Sequence, residues 1–385
     1  MTEKGTKSLV WYWATGGAGV RFSHRVARCI AGSQGAQSVA LSLHEGNAWI
    51  ERSRAGGHPV MTIGGASGHR AAARIAVQAR RRWVALQGQI AGFEPQVAVV
   101  PMNFALAWPY HLAFARRRIP LIYVVHDAAP HPGDYMRLWQ SRMQHLLIRA
   151  SSGVVALSDH VAQQIEAAGL LRGGRRCDVI PLSAHEVASR LAPRPSPTLP
   201  VRLLFLGRLL PYKGLTLLAQ ALAPLREKRG WRLTVAGDGP EADQVRALFA
   251  NFPQVELKTG LLDESEVDGL IRDHDVLVCP YLEASQSGVI AEALYQGMPS
   301  VVTPVGGLPE QVGFGRAGWV AQSVSSEALT ETLRGLFDAP TAIGRMSGGA
   351  LDLVRVASAE DAWRRVIEGV ADRQGPRPDA LKTGS

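Results

Sequence analysis

Short apolar runs alternate with stretches of three- and four-residue hydrophobic periodicity along most of the chain. The first half reads as strands at residues 8–14, 38–43, 97–100, 121–125 and 153–157. The second half restarts with strands at 202–206, 233–236, 255–257 and 276–278. Helices fall between them: one carrying Val20, Phe22, Val26 and Ile30, and others over 68–86, 159–168 and 215–225. Strand and helix in strict alternation predict open parallel sheets covered by helices.

Residues 187–200 hold four prolines between two strand signals, the composition of an interdomain linker. A chain of 385 residues is also long for one core. The expected organisation is therefore a Rossmann-like domain over 1–186, the linker 187–200 and a second Rossmann-like domain over 201–385, with the last helix free to return to the first domain. In such sheets functional groups collect beyond the carboxyl ends of the strands.

The richest strand end is 276–297. The run Val276–Val278 stops at Pro280, a polar turn follows (Glu283, Ser285, Gln286, Ser287, Gly288), and an apolar stretch containing Glu292 starts a helix near Ser287–Gly288. N–H groups at a helix start, with a glycine allowing close approach, suit an anion such as a diphosphate. Carboxylates at both ends of the turn can accept from sugar hydroxyls. The plainer reading makes the serine a cap and Glu292 a solvated first-turn acid.

In the first half, Thr15-Gly16-Gly17-Ala18-Gly19 joins strand to helix, but Phe22 stands where a dinucleotide motif needs its third glycine. Gly17 then reads as a backbone approach point for a diphosphate or an acceptor. His126 follows strand 121–125 and precedes a loop with Pro130, Pro132 and Gly133, a candidate for orienting substrate; its plainer role is a bond to neighbouring backbone.

Charge is uneven. Residues 1–200 carry 23 Lys+Arg against 10 Asp+Glu, a net +13, whereas 201–385 net −4. Arg70, Arg74 and Arg81 fall on one face of the helix expected over 68–86, with Trp83 near them, which suits an anionic membrane surface, a glycan acceptor's phosphates or plain solvation. The basic half lacks interleaved aromatics on a strand surface and any recognised reading helix, which argues against nucleic acid. Three separated cysteines suggest neither disulfides nor a zinc site, and no stretch reads as a signal peptide or a membrane span, so a cytoplasmic or peripheral protein is expected.

Over about 201–335 the chain resembles the nucleotide-sugar domain of retaining glycosyltransferases of family 4, enzymes of the GT-B type with two Rossmann-like domains facing across a cleft. The residues that carry the likeness are Gly-Arg-Leu-Leu-Pro-Tyr-Lys-Gly (207–214), Ala-Gly-Asp-Gly-Pro-Glu (236–241), Gly-Leu-Leu-Asp-Glu-Ser-Glu-Val (260–267), the 280–297 turn and Val-Gly-Gly-Leu-Pro-Glu (305–310).

The resemblance implies that Arg208 and Lys213 hold the donor diphosphate, that Gly237, Ser287, Gly288 and Val289 line the donor site, that Glu292 binds ribose, and that His126, Arg208, Lys213 and Glu283 serve catalysis. It implies retaining, metal-independent transfer with no cofactor, from a nucleotide-diphosphate sugar to a glycan or polyprenyl-diphosphate-linked acceptor. Asp273-His274-Asp275 is read as surface structure, not a metal site. The family places its two glutamates eight apart, whereas Glu283 and Glu292 are nine apart and Ala284 takes the position eight before Glu292. Either the turn holds an extra residue and Glu283 still reaches the sugar, or Ser285–Gly288 replace it. Alternatives are a nucleotide-sugar epimerase of the same architecture and a nucleotide-sugar-binding protein that has lost catalysis.

Overall fold

The computed structural model describes residues 5–15, 18–35, 38–64, 72–104, 107–128, 137–171, 173–185, 192–197, 199–356 and 359–373. Gly17, Arg70, the 129–136 loop and residues 187–191 of the expected linker lie outside them, as does the side chain of Arg74. The chain divides into two units. One comprises Met1–Leu157, Val161–Ile180 and Ser358–Ser385; the other Ser158–His160 and Pro181–Ala357.

The first unit holds strands β1 (Ser8–Tyr12), β2 (Val39–His44), β3 (Val60–Ile63), β4 (Val97–Val100), β5 (Leu121–Val125), β6 (Gly153–Ala156) and β7 (Asp178–Val179). They form one parallel sheet in the order β3-β2-β1-β4-β5-β6-β7. Strands β1, β2, β4, β5 and β6 are buried along their whole length. Helices on both faces demand this, and it explains their unbroken apolar runs. The C-terminal helix Ala359–Asp372 packs against Ala18–Gln34 in this unit, burying Ala359, Trp363, Val366, Ile367 and Val370, spaced as one apolar helical face.

The second unit holds β8 (Val201–Leu206), β9 (Trp231–Gly237), β10 (Val255–Thr259), β11 (Val276–Cys279), β12 (Ser300–Val302) and β13 (Gly318–Val320), all parallel, in the order β10-β9-β8-β11-β12-β13. Counted from β8 this is the 3-2-1-4-5-6 arrangement of a doubly wound sheet. Its direction of winding reverses between β8 and β11, and ligands bind beyond the strand ends at such a reversal.

The proline-rich stretch does not behave as a free joint where it is described. Residues 192–197 belong to the second unit, and Arg194 is buried there. Its guanidinium donates to the carbonyls of Gln296 (2.9 Å), His274 (2.5 Å) and Ile271 (3.0 Å), and its N–H to Ser347 Oγ (2.7 Å). Carbonyls at helix ends lack intrahelical donors, so a buried cation there satisfies several acceptors at once. Asp273-His274-Asp275 also differs from its expected surface role. Asp275 is buried and paired with Arg202 at 2.9 Å, because β8 and β11 are neighbours. Among the described residues no helix is long and apolar enough to cross a membrane.

Candidate functional site

Two turns leave the carboxyl ends of β8 and β11, the strands on either side of the reversal. The first runs from Gly207 through Arg208 into a short 3-10 helix, Pro211–Lys213. Gly214 ends it in the left-handed region, φ +74°, and a Cβ there would lie 1.8 Å from the Pro280 carbonyl oxygen. Glycine is therefore required for the first turn to close on the second. The Leu282 N–H donates to the Tyr212 carbonyl at 2.8 Å and completes the contact.

This closure sets Lys213 against the second turn. Its Nζ lies 3.7 Å from the centroid of the Tyr281 ring and 5.0 Å from that of Tyr212, within cation–π range. Arg208, on the same turn, is exposed. Gly237 has a role in the framework at this end of the sheet. At φ +145° its Cβ would lie 1.8 Å from the Gly207 carbonyl oxygen, so it lets the ends of β8 and β9 pack.

The second turn leads into the helix Gly288–Tyr295. Ser287 occupies its N-cap with extended backbone angles, φ −132° and ψ 121°, but its side chain makes no capping bond. The hydroxyl lies instead 3.3 Å from the buried Tyr281 hydroxyl. The Ser287 backbone is clamped by one amide, since its N–H donates to Gln311 Oε1 (2.7 Å) and its carbonyl accepts from Gln311 Nε2 (3.1 Å). The N–H groups of the first helical turn, from Gly288, Val289 and Ile290, thus receive no cap from the N-cap residue, the arrangement that leaves a helix start ready for an anion.

Gly288 is exposed, and a Cβ on it would meet nothing within 4 Å. Glu292 stands one turn further along the same helical face, half-buried, while Ile290, Ala291, Ala293 and Leu294 turn into the core. The loop after β12 backs the turn: Thr303 Oγ1 donates to the Tyr281 carbonyl at 2.5 Å, and the Gly307 N–H to the Ser285 carbonyl at 3.0 Å.

The spacing departure has a structural counterpart. Ala284, eight positions before Glu292, is buried with its carbonyl against Gly306, whereas Glu283 is exposed. No role was expected of Tyr281, Thr303 or Gln311. For Tyr281 a signal existed, a hydroxyl-bearing aromatic directly after the strand-ending Pro280; Gln311 offers none. Burial first of all raises the Tyr281 hydroxyl well above its ordinary pKa, so it remains a neutral phenol. Burial likewise pushes the Cys279 thiol up to about 11, against hydrogen bonds from Tyr281 and Ser287 and the charge of Lys213.

In the first unit His126 follows β5. Its Nε2 donates to the Pro101 carbonyl beyond β4 at 3.0 Å, and the Phe22 ring meets it edge-on at 4.8 Å. A carbonyl can only accept, so the neutral ring carries its proton on Nε2. Burial lowers its pKa, opposed by Asp127 and by this bond. Phe22, in place of a third glycine, is buried as the ring that covers His126. On the helix Ala72–Phe93, Arg80 and Arg81 are exposed beside Val84, which is 61% exposed, and the Arg116 guanidinium lies 5.0 Å from the Trp83 ring. Among the described residues no group of three His, Cys, Asp or Glu is gathered to hold a metal ion.

Residues 200–339 match the family described as "Glycosyl transferases group 1", and residues 16–183 match "Glycosyl transferase 4-like domain". Each half of the chain thus matches a glycosyltransferase domain family. Among curated relatives, the putative colanic acid biosynthesis glycosyltransferase WcaL of Escherichia coli K12 is 28% identical over 156 residues, 38% of each chain. The glycogen synthase of Mycobacterium tuberculosis is 28% identical over 264 residues, 66% of this chain and 62% of its own. The chain thus spans between 38% and 62% of the length of these glycosyltransferase relatives. Among solved structures, Anabaena Alr3699/HepE in complex with UDP shares the GT-B fold at TM-score 0.69 and 17% identity, covering 95% of this chain and 100% of that one.

Proposed function

We propose that this glycosyltransferase moves a sugar from a nucleoside-diphosphate donor to a glycan or polyprenyl-diphosphate-linked acceptor in the synthesis of a bacterial polysaccharide or cell-surface glycan. The observation that carries the reading is the pairing, at the reversal of the second sheet, of the Lys213 ammonium with a helix start that its own N-cap serine leaves uncapped. A leaving diphosphate is a dianion or trianion, and these groups stabilise it where charge develops. Arg208, on the same turn, adds a fork of N–H donors suited to phosphate oxygens. With Arg208, Lys213 and backbone N–H groups in this role, the reaction needs no divalent cation.

Transfer proceeds with retention in this account. The acceptor hydroxyl attacks the anomeric carbon on the face the diphosphate leaves; the anomeric C–O electron pair goes to the departing phosphate oxygen, which also takes the hydroxyl proton. Glu292 binds the ribose hydroxyls, and His126 orients sugar or acceptor. The exposed arginines and Val84 of the helix Ala72–Phe93 support a peripheral position on the cytoplasmic face of an anionic membrane, where a lipid-linked acceptor is available. The name of the WcaL relative supports the polysaccharide setting.

The test is a mass-spectrometric screen of nucleotide sugars against lipid-diphosphate acceptors with purified enzyme. Transfer is expected in EDTA, and Arg208→Ala and Lys213→Ala should each lower it by about 100-fold, the size of effect seen on removing one transition-state donor. Full activity in both variants, or a strict need for Mg²⁺ or Mn²⁺, would overturn the reading.

A further inference from the structure

Tyr281 touches both halves of the anion site and belongs to neither. It is fully buried directly after β11 and Pro280. Its main chain is held by the Thr303 hydroxyl on its carbonyl and, one residue on, by the Leu282 N–H on the Tyr212 carbonyl. The ring therefore sits fixed in the floor of the turn, with one face 3.7 Å from Lys213 Nζ and its hydroxyl 3.3 Å from Ser287 Oγ. A lysine side chain is long and flexible, and a ring face under the ammonium restricts where that charge can be.

The second contact is more informative. A serine at an N-cap with extended backbone angles ordinarily turns its hydroxyl onto the N–H groups two and three residues on. Ser287 has the position and the backbone angles, but its hydroxyl is turned to the Tyr281 hydroxyl and the Cys279 thiol and does not cap. A capped helix start has those N–H groups occupied. An uncapped one offers them to a ligand.

We propose that Tyr281 is a positioning residue of the donor site: its ring face places the Lys213 ammonium, and its hydroxyl keeps Ser287 off the first-turn N–H groups of the helix Gly288–Tyr295, so that a nucleoside diphosphate binds there. The inference rests on the donor-site reading and adds to it a residue that touches no substrate. Removing the hydroxyl alone, by Tyr281→Phe, preserves the ring under Lys213 and takes from Ser287 one of the two partners, beside the Cys279 thiol, that hold it off the helix start, so that it caps the helix in competition with the ligand. Removing the ring, by Tyr281→Leu, also frees the ammonium.

The experiment is isothermal titration calorimetry with UDP, GDP and ADP in EDTA, taking the tightest as probe. Tyr281→Phe should weaken binding about tenfold. In a chain already carrying Ser287→Ala, the same change should alter affinity less than twofold, because no hydroxyl remains to compete. A merely structural loss would persist in both backgrounds, so this double-mutant cycle separates the two. Tyr281→Leu should weaken binding more than Tyr281→Phe and should not be rescued by Ser287→Ala. If Lys213→Ala weakens binding and Tyr281→Phe does not, or if its loss is undiminished beside Ser287→Ala, the inference is overturned while the donor site stands. If wild-type protein binds none of the three, or Lys213→Ala leaves binding intact, the donor-site reading and the inference with it are overturned.

Discussion

Gly288 offers a perturbation in which fold and function should part. It is the first residue of the helix Gly288–Tyr295, has no positive φ to protect, and an added Cβ meets nothing within 4 Å. Nothing in the protein therefore requires glycine there. Alanine lowers the entropy of the unfolded chain and is the better helix former, so Gly288→Ala should leave stability unchanged or raise it by up to about 1 kcal/mol. The open space above Gly288 is where a diphosphate approaches the first-turn N–H groups in this account. A methyl there pushes the anion out of hydrogen-bond range. Charged hydrogen bonds contribute roughly 1.5–3 kcal/mol each, and losing one corresponds to about 10- to 100-fold in affinity.

The assay pairs urea unfolding, followed by circular dichroism, with calorimetric titration of a nucleoside diphosphate. Gly214→Ala is the contrasting control. Its left-handed backbone costs an L-residue about 1–2 kcal/mol, and the 1.8 Å approach to the Pro280 carbonyl forces the two turns apart. That variant should lose stability and binding together. A Gly288→Ala protein that binds the nucleotide as tightly as wild type would refute the placement of the diphosphate.

Three further outcomes are expected. Arg194→Ala should cost about 3–5 kcal/mol in urea unfolding, because the carbonyls of Gln296, His274 and Ile271 lose their buried charged donor together. His274 donates from Nδ1 to the Leu270 carbonyl and accepts at Nε2 from Thr234 Oγ1, and burial lowers its pKa; the unfolded chain takes up its proton first, so stability is complete above about pH 6.5 and falls as the pH drops below it. The urea midpoint of wild type should accordingly decline more than that of His274→Gln between pH 7.5 and 5.5. Vesicle co-sedimentation should require anionic lipid, weaken with salt because exposed charges are screened beyond about 8 Å at physiological ionic strength, and drop in an Arg70→Gln, Arg74→Gln, Arg81→Gln triple variant; unchanged sedimentation would remove the membrane surface from the account.

The central strands were legible because both sheet faces are covered, which leaves continuous apolar runs. The expected 97–100 and 121–125 coincide with β4 and β5. The strands left unassigned were at or near the edges: β3 is only partly buried, β7 spans two residues, and β12 and β13 span three each, too short for a periodicity to show. The start of the helix at Gly288 was legible from the polar turn and glycine before its apolar stretch. What Ser287 does there was not, because capping is a local rule and the Tyr281 hydroxyl that overrides it arrives through the packing of the turn. Arg194 was hidden for a related reason: a proline-rich composition suggests a linker, and only the fold reveals the carbonyls that hold its guanidinium.

Calorimetric titration of UDP, GDP and ADP into the purified protein in EDTA, beside Lys213→Ala, tests the metal-free diphosphate site. Saturable binding of one nucleoside diphosphate without metal is expected, weakened at least tenfold by the substitution, as for one lost charged partner. Binding that appears only with a divalent cation, or that Lys213→Ala leaves unchanged, would contradict it.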